Sequence, residues 1–512
     1  MPYASDNTDQ KKPYSGIRHS TLYTTIAVLL VLYCCYLFTR YLAYPGYMAH
    51  SGANITIHAW RLVTGQELYL AREAENYLFM HYGPVLFLWN GLFMALFGGS
   101  ILSSKIAGVF SMLMGVGVFG AYVWRRYGYS YVGFGVVIFV CIQSFAVPFY
   151  FFNRPDPLLV LLVTIALFST TLQSKTAHNY ISPVFIAICL GLAVNLKAHA
   201  FLYFAPIVFV YCSDRWRISY SLIIALSLVI FALPFFSSLI SISNYLDGVS
   251  SVVGAHEFLM DSMITSLKKS PLYLSPLIIA GIVFLVRKQH LPMRSLMYSG
   301  LLFLTITIVL YPASISGASW YHFMPMVSVT VDVILRLIKD LDKYSKIQTS
   351  IAALFAVFYL ITIITPQKRL NLFFTERMYM SEVKAEVKTI MATHSGDSIQ
   401  MGYGDTSTTN SYEKTYLKPV LMFAGNPIAI DAYSDMETSL ANVPISQKKL
   451  EHLETCKTDH WLIPTGEVPF ELNSYFGGKI YSLDFQNSFL ANYRLAETHK
   501  YFDVWSNNCW EF

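Results

Sequence analysis

Between Tyr23 and Thr365 the chain is a succession of apolar runs. Most approach the ~20 residues that a helix needs to cross the hydrocarbon core of a bilayer. No other feature limits the fold as strongly. Inside a membrane each span must satisfy its own backbone hydrogen bonds, so these runs read as helices packed on one another. Composition agrees: charged residues are 13% of the 512 positions, against ~25% in soluble domains. That excludes an ordinary cytosolic enzyme, a disordered scaffold and a small disulfide-stapled secreted domain. The net charge of +5 suits basic loops on one side of a membrane and carries no nucleic-acid signature.

The runs predict about eleven transmembrane helices. They are Tyr23–Thr39, Ile101–Val123, Val132–Phe149, Leu158–Leu172, Tyr180–Leu196, Ala198–Cys212, Ile218–Ile240, Leu272–Val286, Ser295–Pro312, Trp320–Leu335 and Ile347–Thr365. Gly83–Phe97 is short for a span and reads as an interfacial or re-entrant helix. With that choice every inner loop is basic. They carry Arg125 and Arg126; Lys175; Arg215 and Arg217; Arg287, Lys288 and Arg294; and Arg336, Lys339, Lys343 and Lys346. The positive-inside rule then places the N-terminal tail, residues 1–20 with Lys11, Lys12 and Arg18, in the cytoplasm. No small-residue cleavage site follows the first run, so it reads as an anchor and not a signal peptide. Residues 21–365 form the membrane domain, with a long first external loop over 40–100.

From Pro366 onward the composition is that of a soluble domain. The pattern predicts a helix at Ser381–Thr393, a strand at Ser398–Gly402, a helix at Tyr412–Phe423, and strands at Pro427–Asp431 and Trp461–Ile463. That rhythm indicates an external α/β domain over 366–512. Gly402-Tyr403-Gly404 lacks the third glycine of a nucleotide loop and reads as a strand-end turn. Cys34, Cys35, Cys141, Cys189 and Cys212 lie in or beside apolar runs as small hydrophobes. Cys456 and Cys509 are the cysteines of the external domain and are expected to pair there. No Cys/His spacing indicates a metal site.

This threading collects ionisable residues on the external face. His50, Arg61, Glu67, Arg72, Glu73, Glu75 and His81 lie in the first loop, Arg154 and Asp156 in the second, and Lys197 and His199 in the third, with Lys105 near the outer end of the second span. Ionisable groups at membrane depth are expensive and mark candidate sites. Lys105 has a plain alternative, snorkelling to the interface. Asp156 has one as well, capping a helix that Pro157 begins. Arg154, Asp156 and Lys197, two cations around an acid, suit an anionic phosphate with a carboxylate in proton reach of an acceptor hydroxyl.

Four stretches follow in order: Ala59-Trp60-Arg61-Leu62-Val63-Thr64-Gly65-Gln66-Glu67-Leu68-Tyr69, His81-Tyr82-Gly83-Pro84 with Leu96-Phe97-Gly98, Arg154-Pro155-Asp156-Pro157-Leu158, and Gly191-Leu192-Ala193-Val194-Asn195-Leu196-Lys197. Together they resemble the membrane-embedded GT-C glycosyltransferases, in particular the protein O-mannosyltransferase-like family (glycosyltransferase family 39) and its bacterial lipopolysaccharide and O-antigen sugar transferase relatives. Ser316-Gly317-Ala318-Ser319-Trp320-Tyr321-His322 resembles the loop before the family's later spans more weakly. The resemblance implies an all-α polytopic bundle that moves a sugar from a polyprenyl-phosphate donor to a glycan, lipid or protein acceptor. It places that reaction on the periplasmic face of a bacterial inner membrane, with membrane lipids as surroundings and no nucleic-acid partner.

Under that resemblance Arg154, Lys197, Lys105 and Arg61 are the candidates to hold the donor phosphate. His50, His58, His81, Tyr82 and His199 are candidate sugar or acceptor contacts. The family's first-loop acid is missing, because its slot falls at Gly52 in His50-Ser51-Gly52-Ala53-Asn54. Asp156, Glu67, Glu73 and Glu75 are the candidate replacements, and His50 or His58 a base of another kind. No cofactor is indicated, and nothing in the sequence points to a divalent metal. The rival functions are a lipid-linked glycan flippase, an inactive accessory protein of the same fold, and a ligase. A flippase needs charges along a path through the bundle, and in the second half Asp332 stands almost alone.

Overall fold

The computed structural model describes residues 17, 20–172, 180–212, 216–287, 293–341, 344–408, 410–475 and 477–509. Lys11, Lys12, Arg18, Lys175, Arg215, Lys288 and Lys343, assigned above to the inner side, lie outside the described residues.

The bundle runs through α1 (Ser20–Ala43), α2 (His50–Val63), α3 (Pro84–Phe97), α4 (Ile101–Tyr127), α5 (Val132–Phe145), α6 (Pro155–Ser169), α7 (Ile181–Leu196), α8 (Phe201–Cys212) and α9 (Trp216–Ala232). It continues through α10 (Ile242–Val253), α11 (Met260–Lys269), α12 (Pro271–Arg287), α13 (Met293–Val309), α14 (Val327–Lys339), α15 (Ser345–Thr362) and α16 (Ile364–Glu376). Each of the eleven predicted spans overlaps one of these helices, but Trp320–Leu335 begins as a 3-10 helix (Trp320–Met326) before α14, and α5 and α9 end at Phe145 and Ala232, short of the expected Phe149 and Ile240. Among the described residues six are long and apolar enough to cross a membrane: Ser20–Ala43, Ile101–Tyr127, Pro155–Leu172, Ser295–Ser314, Trp320–Lys339 and Ser345–Glu376. The shorter apolar helices include Pro84–Phe97 and Ile181–Leu196. Helices α4 and α6, α6 and α7, α7 and α9, and α1 and α5 pack side by side. Small residues permit the closest approaches. A Cβ on Gly191 would sit 2.5 Å from the Ser227 carbonyl oxygen of α9.

Charge separates along the bundle. The ends of α4 and α14 meet where Lys339 lies 5.7 Å from the Tyr127 ring. Asp332 is not alone there. Arg336 Nε lies 3.0 Å from it, and the Tyr122 and Tyr127 hydroxyls each donate to its Oδ1 at 2.5 Å. A carboxylate neutralised in this way is a packing element and offers no free charge to a transport path. Arg154 and Lys197 lie at the opposite helix ends.

The bundle extends past the composition change at Pro366. Helix α16 continues to Glu376, and Asn371 Oδ1 accepts from Arg40 of α1 at 2.9 Å. The C-terminal domain follows with α17 (Met380–Thr393), β1 (Ile399–Met401), α18 (Ser411–Lys414), α19 (Lys418–Phe423), α20 (Ala432–Leu440), α21 (Gln447–Glu454), β2 (His460–Pro464), α22 (Leu483–Asn492), β3 (Tyr493–Thr498) and β4 (Phe502–Asn507). The sheet order is β1-β2-β4-β3, parallel between β1 and β2 and antiparallel elsewhere. Its core gathers Phe470, Phe489 and Tyr493 around the fully buried Trp461.

Two expected elements change. The helix at Tyr412–Phe423 is broken into α18, a 3-10 turn and α19, which restarts just before Pro419. Pro427–Asp431 forms no strand and joins no sheet. Pro427 lacks an N–H, and Ala429 donates instead to Gln400 Oε1 at 2.9 Å. The pair β3 and β4 has no counterpart in the sequence reading. Gly402-Tyr403-Gly404 follows β1 directly, and the Glu467 carboxylate fills the turn, accepting from the Thr406 and Thr408 amides at 3.2 and 3.0 Å. Cys456 and Cys509 form a disulfide.

Candidate active site

A cavity of about 530 Å³ opens where the Arg154 end of the bundle meets the C-terminal domain. Its cationic wall is built from two helix ends. Arg154 is the N-cap of α6, which begins at Pro155 and not at Pro157 as expected, so Asp156 lies in the first turn and caps nothing. Lys197 is the C-cap of α7. Asp156 is fully buried and joins them, with its Oδ1 2.7 Å from Lys197 Nζ and its Oδ2 3.3 Å from Arg154 Nε. The Arg154 guanidinium also lies 5.0 Å from the Phe149 ring and 4.8 Å from the Tyr321 ring. Cation–π contact and the shared carboxylate hold both cations with little freedom.

The motif residues explain why this corner forms. A Cβ on Gly83 would fall 1.7 Å from the Asn195 carbonyl oxygen, so only glycine allows the start of α3 to meet the end of α7. Asn195 Oδ1 accepts from the Val85 amide at 2.9 Å, and its Nδ2 donates to Phe231 O at 2.9 Å. Tyr69 Oη donates to Tyr82 O at 2.7 Å. These bonds set the Tyr82 ring beside Lys197, 5.9 Å from its Nζ.

The facing wall comes from the C-terminal domain. Asp431 caps α20 by accepting from the Ser434 amide at 2.9 Å, pairs with Lys418, and accepts from Asn54 Nδ2 of α2 at 2.5 Å. The Phe79 amide donates to Ser434 Oγ at 2.5 Å. Docked in this way, α20 presents Tyr433, Met436 and Glu437 to the cavity. Glu437 Oε2 lies 2.8 Å from His256 Nε2, and His256 Nδ1 lies 2.9 Å from Ser316 Oγ. Burial raises the Glu437 carboxyl, but its bond to His256 and the nearby His81 and His50 bring it below its ordinary value. Burial lowers His256, and Glu437 more than offsets this and raises it. His50 and His81 are each pushed down to about 4, mainly by burial, so both are neutral hydrogen-bonding groups near pH 7.

The sequence candidates divide. Arg154, Lys197, His50, His81, Tyr82 and His199 line the cavity. Asp156 lies behind its wall. Glu67 and Glu73 are exposed, and Glu75 pairs with His452 and Lys457 of the C-terminal domain, each at 2.5 Å. Arg61 is buried and donates to Asn76 O at 3.3 Å. Lys105 is fully buried and donates to the Tyr41 and Tyr44 carbonyls at 3.1 and 2.7 Å, closing the end of α1. His58 is buried against Phe87. None of these lines the cavity. A side chain at Gly52 would be tight, because its Cβ would lie 3.0 Å from Asn153 Oδ1 and 3.3 Å from Tyr47, so these side chains would have to give way.

Glu437, His256, Tyr433 and Tyr475 were not legible as site residues. For Tyr433, Met436 and Glu437 the one available signal was their i, i+3, i+4 spacing, which marks a buried face without saying what it faces. Ser316, Gly317, Ala318, Tyr321 and His322 of the weaker motif line the cavity as well.

No protein-family model matches the chain, and no curated protein matches it in sequence. Solved structures do resemble it. ArnT from Cupriavidus metallidurans bound to undecaprenyl phosphate superposes with a TM-score of 0.60 at 13% identity, covering 95% of this chain and 99% of that one. The apo state of that protein gives a TM-score of 0.47 at 11% identity over 96% and 98% of the two chains. The arabinosyltransferase EmbB from Mycobacterium smegmatis gives 0.43 at 11% identity over 82% and 45%. With a bundle of apolar helices carrying a small C-terminal sheet, and with that likeness over nearly its whole length, the chain has a membrane fold of the GT-C type.

Proposed function

We propose that the chain is an integral membrane glycosyltransferase that takes a sugar from a polyprenyl-phosphate donor and gives it to a hydroxyl of a surface glycan, lipid or protein. The observation that carries this reading is the cavity itself. It faces two fixed cations, Arg154 and Lys197, with a carboxylate, Glu437, and lines the space between with Tyr82, Tyr321 and neutral histidines. The fold is shared with ArnT, which was solved with undecaprenyl phosphate bound. The reading places the N-terminus in the cytoplasm and the cavity on the periplasmic face of a bacterial inner membrane.

In the reaction the acceptor oxygen attacks the anomeric carbon, and the bond from that carbon to the phosphate oxygen breaks. The departing phosphate gains charge, which Arg154 and Lys197 neutralise. Each such charge-assisted bond is worth ~1.5–3 kcal/mol. Glu437 takes the acceptor proton, and His256, hydrogen-bonded behind it, stabilises the ionised carboxylate. Asp156, our first candidate for the base from the sequence, orients the two cations instead, since both of its oxygens are engaged.

The test is purified protein in lipid nanodiscs with polyprenyl-phosphate sugars of several kinds. Release of polyprenyl phosphate, followed by mass spectrometry, is expected with at least one donor. It should fall in Arg154→Ala and Lys197→Ala through weaker donor binding. Complete lipid-linked glycan accumulating in a deletion strain, with no sugar lost from it, would favour a flippase or ligase and overturn the reading.

A further inference from the structure

A second cluster of chemically capable side chains lies outside the cavity. It draws on three segments of the C-terminal domain. His394 is the C-cap of α17, Asp397 sits in the following turn, and His460 begins β2. One ligand atom from each lies within 4.8 Å of the other two. Both imidazoles address one carboxylate oxygen: Asp397 Oδ2 is 3.0 Å from His460 Nε2 and 3.8 Å from His394 Nδ1. The two rings are 4.0 Å apart between centroids.

We infer that His394, Asp397 and His460 form a divalent-metal site of the zinc class. Two imidazoles and a carboxylate are a common zinc donor set. Around a tetrahedral ion with ~2.0–2.1 Å bonds, ligand atoms are separated by about 3.3 Å. The observed 3.0 and 3.8 Å bracket that value, so small side-chain shifts close the site.

The groups behind the ligands fit as well. A metal-bound imidazole is oriented through its other nitrogen. His460 Nδ1 lies 2.9 Å from Ser506 Oγ. His394 Nε2 is buried without a hydrogen-bond partner, and Glu497 Oε1 lies 3.2 Å from it, close enough for a small ring rotation to supply one; the other Glu497 oxygen is 2.9 Å from His499 Nε2. Ligating imidazoles are neutral. The two carboxylates then leave a net negative charge for a divalent cation to cancel. Asp397 is 47% exposed, so an ion can enter and keep water in a remaining position. Bound there, it would tie the C-terminal end of α17 to β2 and, through Glu497, to β3.

Zinc titration of the full-length protein in detergent, after chelator treatment, tests this. Binding at this site should weaken at least tenfold in His394→Ala and His460→Ala. Glu497→Gln should cost about 10- to 100-fold, the usual effect of removing a group that orients a ligand. The cavity histidines could also take zinc, so the site is identified directly. Diethyl pyrocarbonate labelling of the unmutated protein, with and without zinc, is read by peptide mass spectrometry. Protection of His394 and His460 supports the inference even if a variant fails to fold. Protection confined to His81 and His256, no protection at all, or unchanged affinity in folded variants overturns it.

Discussion

Glu437, in the C-terminal domain, pairs at 2.8 Å with His256, in the loop that precedes α11 of the bundle. The two are 181 residues apart in sequence. Their contact completes the cavity and fixes the domain over it. Removing the charge while keeping the shape separates these roles. Glu437→Gln retains an oxygen that can accept from His256, so the fold should persist, while turnover should fall ~10²–10⁴-fold if the carboxylate is the base. Near-normal polyprenyl-phosphate release by the purified variant would remove Glu437 from that role.

Asp156→Asn should behave differently. It leaves Arg154 and Lys197 beside each other without their shared counter-charge. Breaking a buried pair from one side costs ~3–5 kcal/mol. Melting temperature should fall, and added polyprenyl phosphate should restore more of it than the same ligand adds to the unmutated protein. Equal ligand-induced shifts in the two proteins would show that these cations do not meet the phosphate.

The His256–Glu437 pair should make domain docking pH-dependent. His256 is raised in the folded protein, so its contribution is complete below the ordinary value of ~6.5 and disappears as pH rises through the raised value. Glu437 is lowered, so its contribution is complete above ~4.3 and disappears as pH falls through the lowered value. The melting-temperature gap between the unmutated protein and His256→Asn should therefore be widest near pH ~5–6.5 and shrink on the alkaline side. A gap that is flat or widens with pH would contradict the pairing.

Gly83→Ala should prevent accumulation of folded protein. The added methyl would meet the Asn195 backbone carbonyl at 1.7 Å, and neither helix end can yield without moving Tyr82 or Lys197. The cost should reach or exceed the top of the ~1–3 kcal/mol range for overpacking. Recovery of the variant from membranes at normal yield and melting temperature would disprove the close approach.

Reporter fusions test the orientation. A periplasm-active reporter joined after Thr393 should be active, and one inserted after Arg126 should be silent. Activity at Arg126 would mean that Pro84–Phe97 crosses the membrane, and would place the α4 and α14 basic ends outside.

The helical bundle was legible from the amino-acid pattern alone. Apolar runs and basic loops are local properties, and in a bilayer a long apolar run has little choice but a helix. The same pattern also located Arg154, Asp156 and Lys197, since charge beside an apolar run is conspicuous. What those residues touch depends on contacts between distant segments. Asp156, Lys105 and Arg61 have the same look in sequence as Arg154 and Lys197. They differ only in what they meet: a cation pair, the carbonyls ending α1, and the Asn76 carbonyl. Glu437 shared only the spacing of a buried face, because an acid in a polar helix is ordinary until Asp431 docks that helix on α2 and turns the face toward the cavity. Burial and partnership are set by segments far apart in the chain, and no local pattern encodes them.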